Sequence, residues 1–251
     1  MPKAEKELMP IYKKNYLLVS KIYPHLMRKI NYKYWSDYLV MLSENYVTNK
    51  SNVLELGAGN CLLAFYLKDN FKNIIATDLS FSMLNSSKDK KVKKVCSNMT
   101  SLPFKYSFDL VISCFDSINY LIKKNDLLKL FTSIHNLLSD TGIFTFDVSL
   151  ENNSKIHIKV PIREGKFKEI TYKHLSSYDE INRIHKNTFE IKLKNKNVYK
   201  EVHKQKIYPF FDYFRLLQKC GLYVLECFDA FTFNDATENS NRVQFIVKKI
   251  K

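Results

Sequence analysis

The chain has 251 residues, 45% of them hydrophobic and 26% charged, enough to bury a substantial core and too apolar for a disordered chain. No run approaches the roughly 20 uninterrupted apolar residues of a membrane span, and the charged start Met1-Pro2-Lys3-Ala4-Glu5-Lys6 has no apolar stretch behind it, so neither an anchor nor a signal peptide is expected. Forty Lys+Arg against 25 Asp+Glu give a net charge of +15, a field that attracts nucleic acid or anionic surfaces. Only five of those forty cations are arginine, the side chain whose planar fork suits phosphate, which favours a compositional excess of lysine. The charge is uneven: 14 Lys+Arg against 6 Asp+Glu between Lys155 and Lys206 make a local +8, the stretch where RNA would bind if it binds at all. Cys61, Cys96, Cys114, Cys220 and Cys227 form no C-x-x-C pair, which argues against a disulfide framework or structural zinc and for a reducing, cytoplasmic setting. The six histidines offer no metal spacing, so no metal is expected.

The first fifty residues read as helical and aromatic-rich. From Ser51 to Leu150 short apolar runs alternate with amphipathic ones. Asn52–Leu56 reads as a buried strand, Cys61–Leu67 as the helix after it, and Ile74–Thr77 as a second strand before a helix that opens near Ser80. Val92–Cys96 and Phe108–Ser113 read as further strands. Helical spacing runs from Asp126 to Leu138 and stops before Asp140-Thr141-Gly142, read as a helix-ending turn, after which Ile143–Phe146 is a fifth strand. Such alternation predicts a mostly parallel sheet with helices on both faces. From Phe167 to Ile207 polar and apolar residues alternate with period two around a turn at Asn195-Lys196-Asn197, which predicts an antiparallel, half-exposed β-layer. His174, His185 and His203 fall there, and a solvated strand face is the reading their pattern favours over one that meets substrate. A helix over Phe210–Lys219, ended by Gly221, and strands at Tyr223–Cys227 and Val243–Val247 close the chain. The expected organisation is one domain: a helical cap (1–50), a core (51–150), an inserted β-layer (151–209) and a C-terminal completion (210–251).

The chemistry sits where the first core strand runs into Gly57-Ala58-Gly59-Asn60 and then a helix. Glycines in that turn let the backbone approach a ligand and aim helix N-terminal N–H groups at it. Asp78 ends the next strand, 21 residues beyond Gly57, the place from which a carboxylate grips ribose hydroxyls in nucleotide-binding α/β folds. The dinucleotide form needs a further small residue where Leu62 stands, and Glu55 just before the turn sits poorly beside a pyrophosphate. That carboxylate suits a ligand with a cationic amine or sulfonium.

This constellation resembles the class I S-adenosylmethionine-dependent methyltransferases over nearly the whole chain, and implies a Rossmann-like seven-stranded sheet whose last strand is antiparallel. V-L-E-L-G-A-G-N-C (53–61) is similar to their first motif, with Cys61 at the third glycine position. A-T-D-L-S-F-S-M-L (76–84) is similar to the second, which implies that Asp78 holds the ribose and that Leu79 and Met83 border the adenine. C-S-N-M-T-S-L-P-F (96–104) resembles the third, with Asn98 at an aspartate position and Met99 offering its backbone N–H. F-D-L-V-I-S-C-F-D-S-I-N-Y-L (108–121) resembles the fourth motif of the branch that methylates nitrogen on small molecules such as glycine and amino sugars. There Cys114, Phe115, Asp116, Asn119 and Tyr120 would line the sulfonium and acceptor. Y-P-H-L-M-R-K-I-N-Y-K-Y-W (23–35) resembles that branch's cap, with Tyr23, Tyr32 and Trp35 closing over the cofactor, and N-R-V-Q-F-I-V-K-K (241–249) its last strand, with Arg242 at a usual arginine.

The resemblance implies a transferase that moves a methyl group from S-adenosyl-L-methionine to N, or O, of a small-molecule acceptor and leaves S-adenosyl-L-homocysteine. Base methylation of the exocyclic-amine type is disfavoured, because no D/N-P-P-Y follows the fourth strand. Two alternatives stand beside it: a tRNA or RNA methyltransferase that uses the basic β-layer, and a protein that binds the cofactor without catalysis.

Overall fold

The computed structural model describes residues 11–89, 91–194 and 197–250. Strand β1 (Ile11–Tyr12) leads into α1 (Val19–Leu26) and α2 (Tyr32–Ser43), whose N-terminus is capped by the Asn31 side chain accepting from the Tyr34 N–H at 3.0 Å. The core follows as β2 (Asn52–Leu56), α3 (Leu62–Leu67), β3 (Asn73–Asp78), α4 (Phe81–Ser86), β4 (Lys93–Cys96), β5 (Phe108–Ser113), a 3-10 turn over Ser117–Tyr120, α5 (Lys124–Leu137) and β6 (Leu138–Ser149). Then come α6 (Glu151–His157), a run of four strands, β7 (Ile162–Phe167), β8 (Ile170–Asp179), β9 (Ile184–Lys192) and β10 (Val198–Lys206), and finally α7 (Phe210–Lys219), β11 (Leu222–Asp229) and β12 (Arg242–Lys249).

Seven strands form one sheet in the order β11-β12-β6-β5-β2-β3-β4, with β12 antiparallel to both neighbours and β2, β3, β4, β5 and β6 mutually parallel. This is the predicted Rossmann-like α/β sheet. Its two faces bury separate apolar clusters. One gathers Leu54, Leu56, Phe131, Phe144, Phe146 and Phe245 under α5 and α7; the other gathers Trp35, Leu39, Val53, Leu63, Leu110 and Ile112 under α2 and α3. Strands covered on both sides have no solvated face, which is why they read as unbroken apolar runs.

A second sheet, β1-β10-β9-β8-β7, is antiparallel except that β1 runs parallel to β10. A third cluster, Leu18, Val19 and Ile22 of the N-terminal segment with Phe189 and Ile191 of β9, joins α1 to this layer. The buried Glu201 of β10 completes the joint: its Oε1 accepts from the backbone N–H groups of Leu18 (2.5 Å) and Val19 (3.2 Å) at the start of α1. A carboxylate there satisfies helix donors that have no partner within the helix.

Three differences from the sequence reading have physical reasons. Asp140-Thr141-Gly142 is not a turn but part of β6. Gly142 has ordinary backbone angles, and a Cβ on it would lie 2.8 Å from Ser139 Oγ and 2.9 Å from the Asp109 carbonyl, so its smallness serves a close approach. Cys61 caps α3 in a left-handed conformation instead of opening it (φ 59°). The β-layer begins at Ile162, and both the two-residue β1 and the short α6 escaped the pattern, being too brief to show a period. Asn195 and Lys196 of the expected hairpin turn lie outside the described residues.

Glu201→Ala leaves two α1 donors and the neighbouring His203 without their carboxylate. It is expected to cost about 1.5–3 kcal/mol, the usual worth of hydrogen bonds to a charged group, in urea denaturation, and to speed amide exchange over residues 17–26.

Candidate active site

The carboxyl ends of the parallel strands converge on one edge of the sheet, where open α/β sheets carry their ligands. There β2 ends in the Gly57-Ala58-Gly59 turn, β3 in Asp78, β4 leads to Asn98-Met99, and β5 to Cys114-Phe115-Asp116. Between them opens a cavity of about 770 Å³, closed on its far side by Tyr16, Leu17, Tyr23 and Tyr32 from the N-terminal segment.

Gly57 and Gly59 both take positive φ (65° and 56°). A Cβ on Gly57 would strike Ser117 Oγ at 2.6 Å, whereas one on Gly59 would meet only Met83 Cε, at 3.1 Å, and otherwise stand in open space. The turn is fixed by Asp78, whose Oδ2 accepts from the Gly59 N–H at 2.8 Å and whose Oδ1 accepts from the Ser80 N–H at 2.7 Å. Burial raises the Asp78 pKa, and the two backbone donors pull it part of the way back. Glu55 is 3% exposed and its Oε2 has no hydrogen-bond partner, so burial pushes its carboxyl up to about 8. The Ala64 backbone N–H pulls it part of the way back, but a buried carboxyl oxygen without a partner beside a cavity is costly unless a ligand cation meets it. Together the glycine cradle, the ribose-grade carboxylate and this orphaned acid fit a nucleoside bearing a cationic amino-acid tail.

Of the residues singled out in the sequence, Tyr23, Glu55, Gly57, Ala58, Gly59, Asp78, Leu79, Met83, Asn98, Met99, Phe115 and Tyr120 line this cavity. Trp35, Cys114 and Asn119 do not line it. Trp35 packs behind Phe115, ring centroids 3.8 Å apart; Cys114 is buried with its thiol pKa driven up by burial; and Asn119 spends its side chain on the Ser149 backbone and the Lys206 carbonyl. Asn98 Oδ1 already accepts from both the Thr100 N–H and hydroxyl, each at 3.0 Å, which leaves Nδ2 as its available group. Tyr16, Ser117 and the exposed Phe81 also line the site and were missed, since isolated aromatics and serines carry no periodic signal.

A second cavity, about 580 Å³, lies between the sheet edge and the β-layer. Tyr16, Tyr23 and Tyr120 line both cavities and form the partition between them. Tyr16 Oη and Tyr120 Oη are 2.6 Å apart, Tyr120 Oη lies 3.5 Å from His203 Nδ1, and His203 Nε2 lies 3.3 Å from Glu201 Oε2. Burial raises the pKa of all three tyrosines, so they remain phenols. His174, His185 and His203 face this cavity, with His185 and His203 buried, instead of forming a solvated face. In antiparallel register Arg163 opposes His174, and Asn187 opposes both Ser176 and His203, so one face of the β-layer presents a polar wall inward.

The floor between the cavities is strained. Phe115 and Asp116 both take positive φ (59° and 49°), a conformation that L-residues hold only when their surroundings over-determine it. Asp147 Oδ2 accepts from the Asp116 N–H at 2.9 Å and from Arg242 Nη1; Arg242 Nη2 donates to Asp116 Oδ1 at 2.7 Å; and Gln205 Nε2 donates to Asp116 Oδ2 at 2.5 Å. Burial lowers the Arg242 pKa, but the two carboxylates more than offset it and hold the guanidinium charged.

Residues 54–146 match the family described as "Methyltransferase domain". "Putative methyltransferase YqeM" of Bacillus subtilis (strain 168) is 27% identical over 247 residues, covering 92% of this chain and 96% of its own. An S-adenosylmethionine-dependent methyltransferase of known structure from Clostridium acetobutylicum superposes with a TM-score of 0.78 at 25% identity, over 93% of this chain and 98% of that one. The sugar N-methyltransferase KedS8 from Streptoalloteichus shares the fold at 14% identity (TM-score 0.71, 90% and 91% covered). So does CalS10 from Micromonospora echinaspora, an amino pentose methyltransferase, at 11% identity (TM-score 0.68, 91% and 96% covered). The fold is that of the class I S-adenosylmethionine-dependent methyltransferases, and the methyltransferase domain at residues 54–146, the cavity at the strand ends and these likenesses support S-adenosylmethionine-dependent methyl transfer. Among its described residues no helix is long and apolar enough to cross a membrane.

The raised Glu55 pKa fixes a sign. Between about pH 4.5 and 8 the unfolded chain has lost this proton and the ligand-free native state keeps it, so stability falls as pH rises through that window. Glu55→Gln is expected to flatten that slope relative to the wild type and to be the more stable form at pH 8, in urea midpoints measured across the range.

Proposed function

We propose that the protein transfers the methyl group to a nitrogen, or an oxygen, of a small molecule bound in the second cavity. The observation that carries this reading is the shared tyrosine partition: one cavity fits the cofactor, the other is closed by the β-layer to small-molecule size, and Tyr16, Tyr23 and Tyr120 border both. That two proteins of the same fold are named a sugar N-methyltransferase and an amino pentose methyltransferase supports the class of acceptor.

In this reading Asp78 holds the ribose hydroxyls, with lone pairs left after its two backbone bonds. Glu55 faces the ammonium of the amino-acid tail across the glycine turn. Leu79, Met83 and Phe81 cover the base, with Asn98 Nδ2 and the Met99 backbone at its edge. Bound S-adenosylmethionine supplies an already activated methyl on a sulfonium. The protein's own work is then to position the acceptor and exclude water. No strong base is required if the amine arrives neutral, and none of the three phenols is one. After transfer the surplus proton has an exit through Tyr120 to the buried His203–Glu201 pair.

The basic outer side of the β-layer, where Lys186, Lys204 and Lys206 border a shallow hollow, keeps the RNA alternative in view. The inward wall favours a small acceptor, because that cavity is roofed by the layer itself.

Thermal unfolding tests the cofactor site directly. A ligand at a hundredfold its Kd adds about 2.7 kcal/mol, a rise of roughly 5–10 °C for a domain of this size. S-adenosylhomocysteine and S-adenosylmethionine are expected to give that rise, NADH none, and Asp78→Ala is expected to lose it. Absence of any shift with the first two ligands would overturn the reading. So would acceptor methylation found only with RNA.

A further inference from the structure

We propose that the acceptor is an anion: a small amine or alcohol whose carboxylate or phosphate seats against Arg163 and the histidine wall of the second cavity, with its nucleophilic end toward the tyrosines. The proposal rests on the reading that the acceptor occupies this cavity, and it adds what that acceptor must carry.

The charges facing the cavity do not cancel. Two carboxylates line it, and both are already engaged. Asp116 is held by Arg242 and Gln205, and Glu164 pairs with Lys173 at 3.4 Å. On the cationic side Arg242 is consumed by Asp116 and Asp147, but Arg28, Lys29 and Arg163 have no ion-pair partner among the described residues. The surplus within the cavity is positive.

The wall between these cations is built from imidazoles held by polar side chains. His174 Nε2 lies 2.8 Å from Asn187 Oδ1, and Ser176 Oγ lies 2.8 Å from His185 Nε2 and 3.3 Å from the same Asn187 oxygen. This fixes two imidazoles side by side and leaves His185 Nδ1, in a side chain 5% exposed, buried without a hydrogen-bond partner. A buried polar atom with no partner points to a group that supplies one when present. His157 of α6 closes the other flank, its ring 6.1 Å from that of His185. These nitrogens do not gather into a cluster able to hold a metal ion among the described residues; with the ring N–H of His174 on Asn187 and that of His185 on Ser176, the free nitrogens accept hydrogen bonds while the rings are neutral and donate them once protonated. The pKa values of His157, His174 and His185 are all lowered, first by burial, and for His157 and His174 also by Arg163, the direction that an uncompensated positive field produces. An anion in the cavity would balance Arg163 and draw a proton onto the wall, and His185 Nδ1, an acceptor while the ring is neutral and its Nε2–H faces Ser176, would then donate to it.

Matched probes that differ only in the anion test this on the protein saturated with S-adenosylhomocysteine, at constant ionic strength in chloride. Phosphoethanolamine, β-alanine and ethanolamine share an amine on a short chain and carry a phosphate, a carboxylate or neither. At least one anionic probe is expected to bind roughly tenfold or more tightly than ethanolamine, about 1.4 kcal/mol, and inorganic phosphate or acetate to compete with it. The stronger of the two arms identifies the anion. Arg163→Gln, at an exposed position that leaves the core untouched, is expected to erase most of that preference while S-adenosylhomocysteine binding stays unchanged. Arg215→Gln on α7 removes the same charge far from the cavity and is expected to change neither. Equal or undetectable binding of all three probes would overturn the proposal, as would a preference that survives Arg163→Gln. Failure of S-adenosylhomocysteine to bind at all would instead strike the functional reading beneath it.

Discussion

The buried contact of Arg242 with Asp147 and Asp116 is the constraint on which both cavities depend. β12 is the antiparallel strand of the main sheet, and its first residue reaches past the end of β6 to the end of β5. Two consecutive L-residues with positive φ would relax if free, and a left-handed residue costs roughly 1–2 kcal/mol. Charge-assisted hydrogen bonds to both sides of Asp116 hold them in place. The result is a ledge, with Phe115 turned toward the cofactor cavity and Asp116 toward the second one. Gln205 of β10 grips the same Asp116 carboxylate, so the β-layer is registered to the ledge and not merely laid over it. Glu201, two strand positions of the same face away, fixes α1 and thus the tyrosine partition. One ionic contact orders the floor, and two side chains of β10 tie roof and partition to it.

The sheet was legible because its strands are covered on both faces and its helices on one. That difference writes two distinct periods into the sequence. The cofactor turn was legible for a separate reason: glycines at Gly57 and Gly59, where φ is positive, and an acid at Asp78, where backbone donors converge, are demands on single positions that few other residues meet. The β-layer was legible as strands but not as a wall. Period two says that residues such as His174, Asn187 and His203 share a face, yet not which face turns inward. Polarity pointed to solvent, whereas tertiary packing turned that face onto a polar cavity. Trp35, Cys114 and Asn119 show the converse. They sit in the right stretches of chain, but a side chain one residue from a cavity on a strand or helix points to the opposite side, into packing.

The departures from the commonest motif residues are accommodated locally. Cys61 holds the left-handed cap conformation that a glycine would adopt more cheaply, with its small side chain buried against the α3 face of the sheet. Asn98 closes its own turn onto Thr100, which fixes the loop after β4 from within. Neither change fills the cavity, and Gly59 still opens onto free space beside Met83.

Charge divides between the two cavities in a way that composition conceals. The net +15 of the chain says nothing of the cofactor cavity, where Glu55 and Asp78 are acids whose pKa values burial raises. A cationic ligand would be welcomed there because it relieves a penalty already present in the empty site. Across the tyrosines the engaged carboxylates leave Arg28, Lys29 and Arg163 as the uncompensated charges, beside imidazoles whose pKa values burial lowers, and the penalty has the opposite sign. Phenols suit the boundary between two such fields. Desolvation keeps Tyr16, Tyr23 and Tyr120 uncharged, so they transmit neither field's counter-charge into the other cavity, yet each can donate or accept a hydrogen bond. A methyl moving from a sulfonium to a neutral nitrogen carries positive charge across that boundary. An acceptor with its own anion would end the reaction as a zwitterion, with its new ammonium near the phenols and its anion on the cationic wall.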